Sequence, residues 1–488
     1  MKNGIFKDVS VITISKIVSA LIAFINTALL SRFRTLTEYG TYSQMILAIS
    51  LVVTICDLGL PYAVTYFGSK AEKREDRNHF FSVFYTVDTT MSIIIGVIMV
   101  AIIPFLKEFF NNDTFPSYWY FLLIYPWIRI IDGTIENALV IAKKTQWIAV
   151  YRLIYGASSC FIVIIIKLLG LGFNEYLISY TVVLSILTIC AYGLVSKAFG
   201  RLEVAFDKSL IKEILKYALP VGMASAVSTI NIEFDKLVIG NMCSTEELAI
   251  YTNASKIIPV GLIATAINMV ILPLIVKKVS EKKIDSAISV WNKSLANSLK
   301  VVSVLTFALI VFAPEVITFI YSSSYVSGTD VFRVYCVSYL LGCTYWGTML
   351  NATGKTKCIL YCSVISCVFN IVLDIILYKL LGMIGPAIAT VISQFVMSYA
   401  QIAFSKKALN VKKMLNIKNV TLIIVKNLVI AVPFAVMHCF LKANTNLNHV
   451  VLAFVIGGIW MLTFVLIEGK KIYREFGTLN RQDEVSEQ

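Results

Sequence analysis

The sequence predicts an all-α membrane protein of about 14 transmembrane helices, arranged as two six-helix bundles related by a parallel repeat plus two additional C-terminal helices. Three observations predict it. Of 488 residues, 58% are hydrophobic and 15% charged, and the mean hydropathy is +0.79; soluble domains run at roughly 45–50% apolar and about 25% charged. Fourteen apolar runs approach about 20 residues, the length that crosses a hydrocarbon core of about 30 Å. Two local matches recur along the chain at nearly one offset.

In order, the runs fall near 9–31, 42–66, 80–104, 117–141, 147–169, 176–197, 217–240, 249–275, 295–320, 330–352, 358–379, 383–404, 419–441 and 449–468. In lipid each must be helical, because every backbone N–H and C=O has to be satisfied within its own segment. The first, Val9 to Leu30, is too long for a signal-peptide core and no small-residue cleavage pattern follows it, so it is expected to stay as a span, with no cleaved leader. The seventh, interrupted by Glu233 and Asp235, and the tenth, with several small polar residues, are the weakest.

Leu29 to Tyr42, LLSRFRTLTEYGTY, aligns without a gap on Val238 to Tyr251, VIGNMCSTEELAIY, 209 residues on. Ala142-Lys143-Lys144-Thr145 matches Thr353-Gly354-Lys355-Thr356 at an offset of 211. Each match lies at the same place in the span order, which indicates a six-helix duplication. Six is even, so the second copy inserts in the same direction as the first and an axis along the membrane normal relates them. The expected domains are an N-terminal lobe at 1–200, a second lobe at 201–410, and two further helices with a tail at 411–488.

Orientation follows from the basic loops. With the N-terminus inside, internal segments hold 29 Lys and Arg against 7 outside, so both termini are expected in the cytoplasm. The same bias accounts for the net charge of +14, which here means topology and anionic headgroups rather than nucleic acid. The ten cysteines lie in or beside spans and complete no metal-ligand spacing; they and the three histidines read as fillers. Asn351 to Lys357, NATGKTK, contains a Gly-Lys-Thr, but a phosphate loop needs a glycine where the chain has Met349 and a strand before it. No loop is long enough for a nucleotide-binding domain, and no cofactor is expected beyond a coupling ion, a proton or Na⁺.

RFRTLTEYGTY followed by ICDLGLPYAVTYFGSK resembles the start of bacterial polysaccharide export proteins, and YALPVGMASAVSTINIEFDKLVIGNMCSTEELAIYTNASKI resembles the start of their second half. These are the Wzx-type O-antigen and capsule flippases of the multidrug/oligosaccharidyl-lipid/polysaccharide exporter superfamily. The resemblance implies two lobes around a central cavity in the bacterial inner membrane. It also implies carriage of an undecaprenyl-pyrophosphate-linked saccharide by alternating access, with a polysaccharide polymerase and a chain-length regulator as protein partners.

Charged residues within spans are costly and generally face a cavity or a partner. Arg129 lies near the middle of the fourth run, PWIRIIDGTIENALVIAKK, where it cannot snorkel, with Asp132 at i+3 and Glu136 at i+7. Two readings stand open: Arg129 pairs with Asp132 inside the bundle, or its guanidinium lines the cavity and grips pyrophosphate or an acidic sugar. Lys16, Lys256 and Arg333 complete the candidate substrate-binding cations; if spans one and eight border the cavity, as the resemblance implies, that cavity is cationic. Arg152 and Lys300, near span ends, read as snorkelling. Asp57, Asp88, Asp132, Glu136 and Asp235 are the candidate ion-coupling or gating carboxylates, with a structural ion pair the favoured reading of Asp57 and a local pair or gate contact that of Asp235-Lys236. The tryptophans and tyrosines at span ends read mostly as interfacial anchors. A drug exporter on the same architecture would need acidic cavity walls, so the sign of the deep charge favours the flippase class. No nucleophile, base or metal constellation supports an enzyme.

Overall fold

The computed structural model describes the backbone of residues 2–71, 73–256 and 261–484, and the side chains of 14–71, 73–256 and 271–469. Every regular element among the described residues is helical. The first three expected spans are α1 (Lys2–Phe33), the pair α2 (Leu36–Cys56) and α3 (Leu60–Lys70), and α4 (Arg74–Ala101) continued by the short α5 (Ile103–Phe109). A 3₁₀ turn at Phe115–Tyr118 leads into α6 (Trp119–Ile141), followed by α7 (Thr145–Leu168) and α8 (Phe173–Phe199). The seventh to ninth spans are α9 (Lys208–Met242), the pair α10 (Thr245–Ala254) and α11 (Gly261–Ser280), and α12 (Ile284–Val311) with the short α13 (Ala313–Ile320). A second 3₁₀ turn, Ser323–Gly328, opens α14 (Thr329–Leu341), and α15 (Thr348–Ala352) completes that span. The chain ends in α16 (Thr356–Leu381), α17 (Ile384–Leu409), α18 (Ile417–Asn444) and α19 (His449–Glu484).

Each expected span is thus met by helix, and ten of the described helices are long and apolar enough by themselves to cross a membrane. The other four positions are the charged α6 and α9 and the two divided spans, α10/α11 and α14/α15. The seventh span, expected to be among the weakest, is a single helix of 35 residues that carries Glu233 and Asp235 without interruption.

The duplication is visible in the helix limits. Arg74–Ala101 recurs as Ile284–Val311, 210 residues on, each closed by a short helix with proline in its first turn, Pro104 and Pro314. The 3₁₀ turn then recurs before α6 and before α14, and the starts of α7 and α8, Thr145 and Phe173, recur 211 residues on as Thr356 and Ile384. The turn between α6 and α7 places Lys143 at φ +56° and its counterpart, Gly354 of the NATGKTK segment, at φ +70°. That segment is a helix-joining turn.

The second span, expected to run through 42–66, breaks at Asp57–Gly59. Leu58 and Gly59 take left-handed φ values of +53° and +77°, and Pro61 stands in the first turn of α3. Hydropathy does not register such a break, since the residues on both sides stay apolar. The break is locked onto α9: a Cβ on Gly222 would lie 2.3 Å from the carbonyl carbon of Leu58.

By packing, the chain divides between Thr252 and Asn253. In the first unit α9 packs on α2 and α3, and α6 lies against α3, α4 and α8. The duplicated capping sequences meet in this unit. Thr35 Oγ accepts from the Glu38 amide at 3.2 Å while Glu38 Oε2 accepts from the Thr35 amide at 3.0 Å, and 209 residues on Ser244 and Glu247 form the same reciprocal pair. Such a box satisfies amides that the first turn of a helix leaves open. Thr37 donates to Glu246 at 2.6 Å between the two boxes, and a Cβ on Gly40 would lie 2.1 Å from the Thr245 carbonyl oxygen. In the second unit α12 packs on α11, α14 and α18, and α16 lies along α17.

Gly40→Val is expected to cost more than about 3 kcal/mol, the upper end of ordinary overpacking, because backbone rather than a movable side chain blocks it. Gly193→Ala, where nothing lies within 4 Å, is expected to be silent. Melting temperatures of both variants in detergent check this; a Gly40→Val protein as stable as the parent would refute the backbone contact.

Candidate functional site

The helical spacing of the fourth span puts Arg129, Asp132 and Glu136 near one another, and the tight turn at 142–144 folds α7 back alongside. Residues equidistant from that turn then face each other, which brings Arg152 to Asp132. Arg152 Nη1 donates to both carboxylate oxygens of Asp132 at 2.9 and 2.7 Å, and its Nη2 donates to the Asp132 carbonyl at 3.3 Å. Nη2 also stands 3.6 Å from Glu136 Oε2, and Lys16 Nζ of α1 closes the chain at 2.8 Å from Glu136 Oε1. The three inner side chains, Asp132, Glu136 and Arg152, are only 17–22% exposed. Multiple charge-assisted bonds of this kind offset part of the desolvation that burial imposes.

This corrects two expectations. Asp132 pairs with Arg152, whose Nη1 reaches both carboxylate oxygens, and not with Arg129, which closes the first of the two readings left open for Arg129. Arg152 does not snorkel; it holds α7 to α6. The network Lys16, Arg152, Asp132 and Glu136 is formally neutral, and Arg129 is left over. Arg129 is exposed and makes no ion pair among the described residues. One turn on, Gly133 shares its face, and nothing lies within 4 Å of where a Cβ would stand there. A cation beside open space is an arrangement that can receive an anion.

Asp57 and Asp88 form a second group in the same unit. Asp88 is fully buried on α4; its Oδ2 accepts from Thr134 of α6 at 3.3 Å, and its Oδ1 has no partner. Asp57, at the break between α2 and α3, also has a buried Oδ1 without a partner. The two carboxyls feel each other electrostatically, and among the described residues neither has a cation beside it. Among the described residues the ion pair favoured for Asp57 is therefore absent, and the charge within electrostatic reach of its carboxyl is the like charge of Asp88.

Asp235 makes the expected local contacts. It is buried, its Oδ2 accepts from Tyr251 at 2.9 Å, and Lys236 Nζ lies 2.9 Å from Glu233 and 3.7 Å from Asp235. Lys236 is a helical residue of α9 rather than a loop residue, held inside by those two carboxylates. Lys256 and Arg333 belong to the second unit. Lys256 follows the end of α10, half-buried, and its amide donates to the Asn253 carbonyl at 3.3 Å. Arg333 sits in the first turns of α14 and bonds Asp330 at 3.0 Å and the Ile310 carbonyl at 3.3 Å. The Trp346 indole donates to the Leu341 carbonyl at 2.7 Å and caps the broken end of α14. Trp127 likewise donates to Tyr192 at 3.0 Å.

Residues 5–279 match the family described as polysaccharide biosynthesis protein, and residues 157–464 match that described as lipid II flippase MurJ, each over more than half of the chain. The chain belongs to the polysaccharide flippase family. It is 25% identical over 448 residues to an uncharacterized membrane protein of Methanocaldococcus jannaschii, covering 87% of this chain and 88% of the relative. It is 18% identical over 410 residues to a capsular polysaccharide biosynthesis protein of Staphylococcus aureus, covering 82% and 99%. Among solved structures, the lipid II flippase MurJ in an inward closed conformation aligns with a TM-score of 0.74 at 18% identity, over 94% of this chain and 99% of that one. An inward-facing multidrug transporter of the MATE family aligns at 0.64 and 14% identity, over 80% and 94%. The family resemblance read from the sequence is met, and so is the all-helical transporter fold.

Removing one member of a buried pair strands the other, at a typical cost of about 3–5 kcal/mol. Asp132→Ala is therefore expected to lower the melting temperature clearly and Arg129→Ala to leave it near the parent value. Equal destabilisation by the two variants would mean that Arg129 is part of the network after all.

Proposed function

We propose that this flippase carries an undecaprenyl-pyrophosphate-linked oligosaccharide from the cytoplasmic to the outer leaflet of the bacterial inner membrane by alternating access, for surface polysaccharide synthesis. Both termini face the cytoplasm in this reading, following the 29 to 7 bias of basic residues. The observation that carries it is the charge left over at the α6 cluster. Four charges neutralise one another, and Arg129 remains as an exposed guanidinium next to open space at Gly133. The planar fork of arginine matches the paired oxygens of a phosphate or carboxylate, so the leftover charge is a recognition element for the anionic head of the substrate. Lys16, Lys256 and Arg333 add cationic character, and membrane lipids, the polymerase and the chain-length regulator are the remaining partners.

Asp57 and Asp88 are the coupling groups in this reading. A buried carboxylate with no cation beside it is costly, so the pair takes up a proton or Na⁺ in one state of the cycle and releases it in another. Asp132, Glu136 and Asp235 act as gating carboxylates: breaking the Arg152 or Tyr251 contact frees an element to move. A cation-coupled drug exporter of the same superfamily is the second reading, and the test separates the two.

In proteoliposomes, Arg129→Ala is expected to slow flipping of a lipid-linked oligosaccharide about 10- to 100-fold, the worth of a lost charged hydrogen bond of about 1.5–3 kcal/mol. Arg129→Lys is expected to fall between. Wild-type flipping by a well-folded Arg129→Ala protein removes the recognition role, and movement of a cationic drug without any saccharide favours the exporter. Separately, Asp57→Asn and Asp88→Asn are expected to leave folding intact and to flatten the dependence of transport on the proton or Na⁺ gradient. Unchanged gradient dependence in both would assign the pair a structural role only.

A further inference from the structure

The second unit contains a polar cavity that the proposed transport does not use. About 690 Å³ in volume, it opens between the first half of α12, the first half of α18 and the middle of α19. Its far end is closed by Asn427, whose amide donates to Ser303 at 2.7 Å and to the Lys300 carbonyl at 3.2 Å. Beyond that point the three helices pack dry, around Val304, Phe312, Ile456 and Trp460. Its near end is braced by Asn292, which donates to the Met414 carbonyl at 2.7 Å and accepts from the Asn416 amide at 3.0 Å. The cavity is therefore a fixed feature of the α12–α18 contact.

Its walls are chemically one-sided. Lys293, Lys300 and Lys426 line it with a single carboxylate, Glu468, which is already bonded to Lys426. Lys293 makes no ion pair among the described residues. Asn297, 1% exposed and lining the cavity, gives its oxygen to Lys300 Nζ at 3.2 Å and leaves its amide nitrogen without a partner. A buried donor without an acceptor is costly, and ammonium groups set within a membrane-spanning helix call for an anion. Beside the opening, Leu422 is 64% exposed, and Val425 and Leu466 also present bare apolar surface, which suits acyl chains.

We propose that this cavity binds the phosphate of an anionic membrane phospholipid, with Lys293, Lys300 and the Asn297 amide as its donors. The site lies at the ends of α12 and α18 that follow the basic segments containing Lys282, Lys283, Lys412 and Lys413, so the lipid belongs to the leaflet on that basic side. The bound lipid fills the groove between the duplicated helices and the two additional ones, and ties α18 and α19 to α12.

Native mass spectrometry of the full chain with phosphatidylglycerol tests this. One phosphatidylglycerol is expected to stay bound under activation that strips phosphatidylcholine, with a raised melting temperature. Both effects should be lost in Lys293→Ala/Lys300→Gln and in Asn297→Ala, and kept in Lys412→Ala/Lys413→Ala, which removes two exposed lysines of the same face. The lipid-free melting temperature of each variant separates lost binding from lost folding. Equal retention of phosphatidylcholine, equal loss in the Lys412/Lys413 variant, or full displacement by millimolar inorganic phosphate would each overturn the assignment.

Discussion

Within a hydrocarbon layer a backbone amide or a charged side chain without a partner costs several kcal/mol, and three departures of this chain from plain apolar helix sit where a partner is supplied. The fourth span holds three charges and remains a helix because Arg152 of α7 and Lys16 of α1 take up two of them. The seventh holds two carboxylates because Lys236 and Tyr251 meet them. The second can break because its exposed backbone at Leu58–Gly59 is pressed against Gly222 of α9. Remove the requirement for partners and none of these positions would be predictable; impose it, and the packing of α1, α7 and α9 around α6 and α3 follows from a handful of polar groups.

Much of this was legible in the sequence. Among the described residues each of the fourteen apolar runs contains helix, because hydropathy is averaged over many residues, and the repeat offsets of 209 and 211 lie close to the 210 and 211 that separate corresponding helix starts. The breaks were not legible at that level. Asp57-Leu58-Gly59-Leu60-Pro61 is short enough that a span-length hydropathy window averages it into the apolar residues on either side, and what stops the helix is two consecutive left-handed residues and a proline. At the site, the stripe of Arg129, Asp132 and Glu136 was read correctly as a stripe, but its partner was not. Spacing along one helix reveals neighbours at i+3 and i+4; it does not reveal the residue across a tight turn. The signal existed, since 132 and 152 lie nearly equal distances from the turn at 142–144, and an antiparallel pairing read about that turn would have found Arg152.

The two copies keep one skeleton while dividing the chemistry unequally. α4 to α8 and α12 to α17 share their limits, their proline-started short helices and their 3₁₀ turns. They part company in the middle of the fourth and tenth spans. Positions 131–136 of the first copy carry the Asp132 and Glu136 network on a continuous helix. The corresponding 342–347 of the second, GCTYWG, is no helix at all, and Trp346 spends its indole on capping the interruption.

That difference divides the charge unequally between two copies of one frame. Two identical copies would present equal charge at equivalent places, and nothing in the protein would distinguish one from the other. Here the first copy concentrates the buried ion network, the leftover Arg129 and the cation-free pair Asp57 and Asp88, all on elements in direct contact with α6. Motion of α6 would alter each of those groups together: the Arg152 fork on Asp132, the Thr134 bond on Asp88, and the placement of Arg129. A single helix that carries the exposed Arg129, one end of the Asp132–Arg152 salt bridge and the donor to a buried carboxyl is a physical route by which the proposed ion uptake and substrate release can be linked.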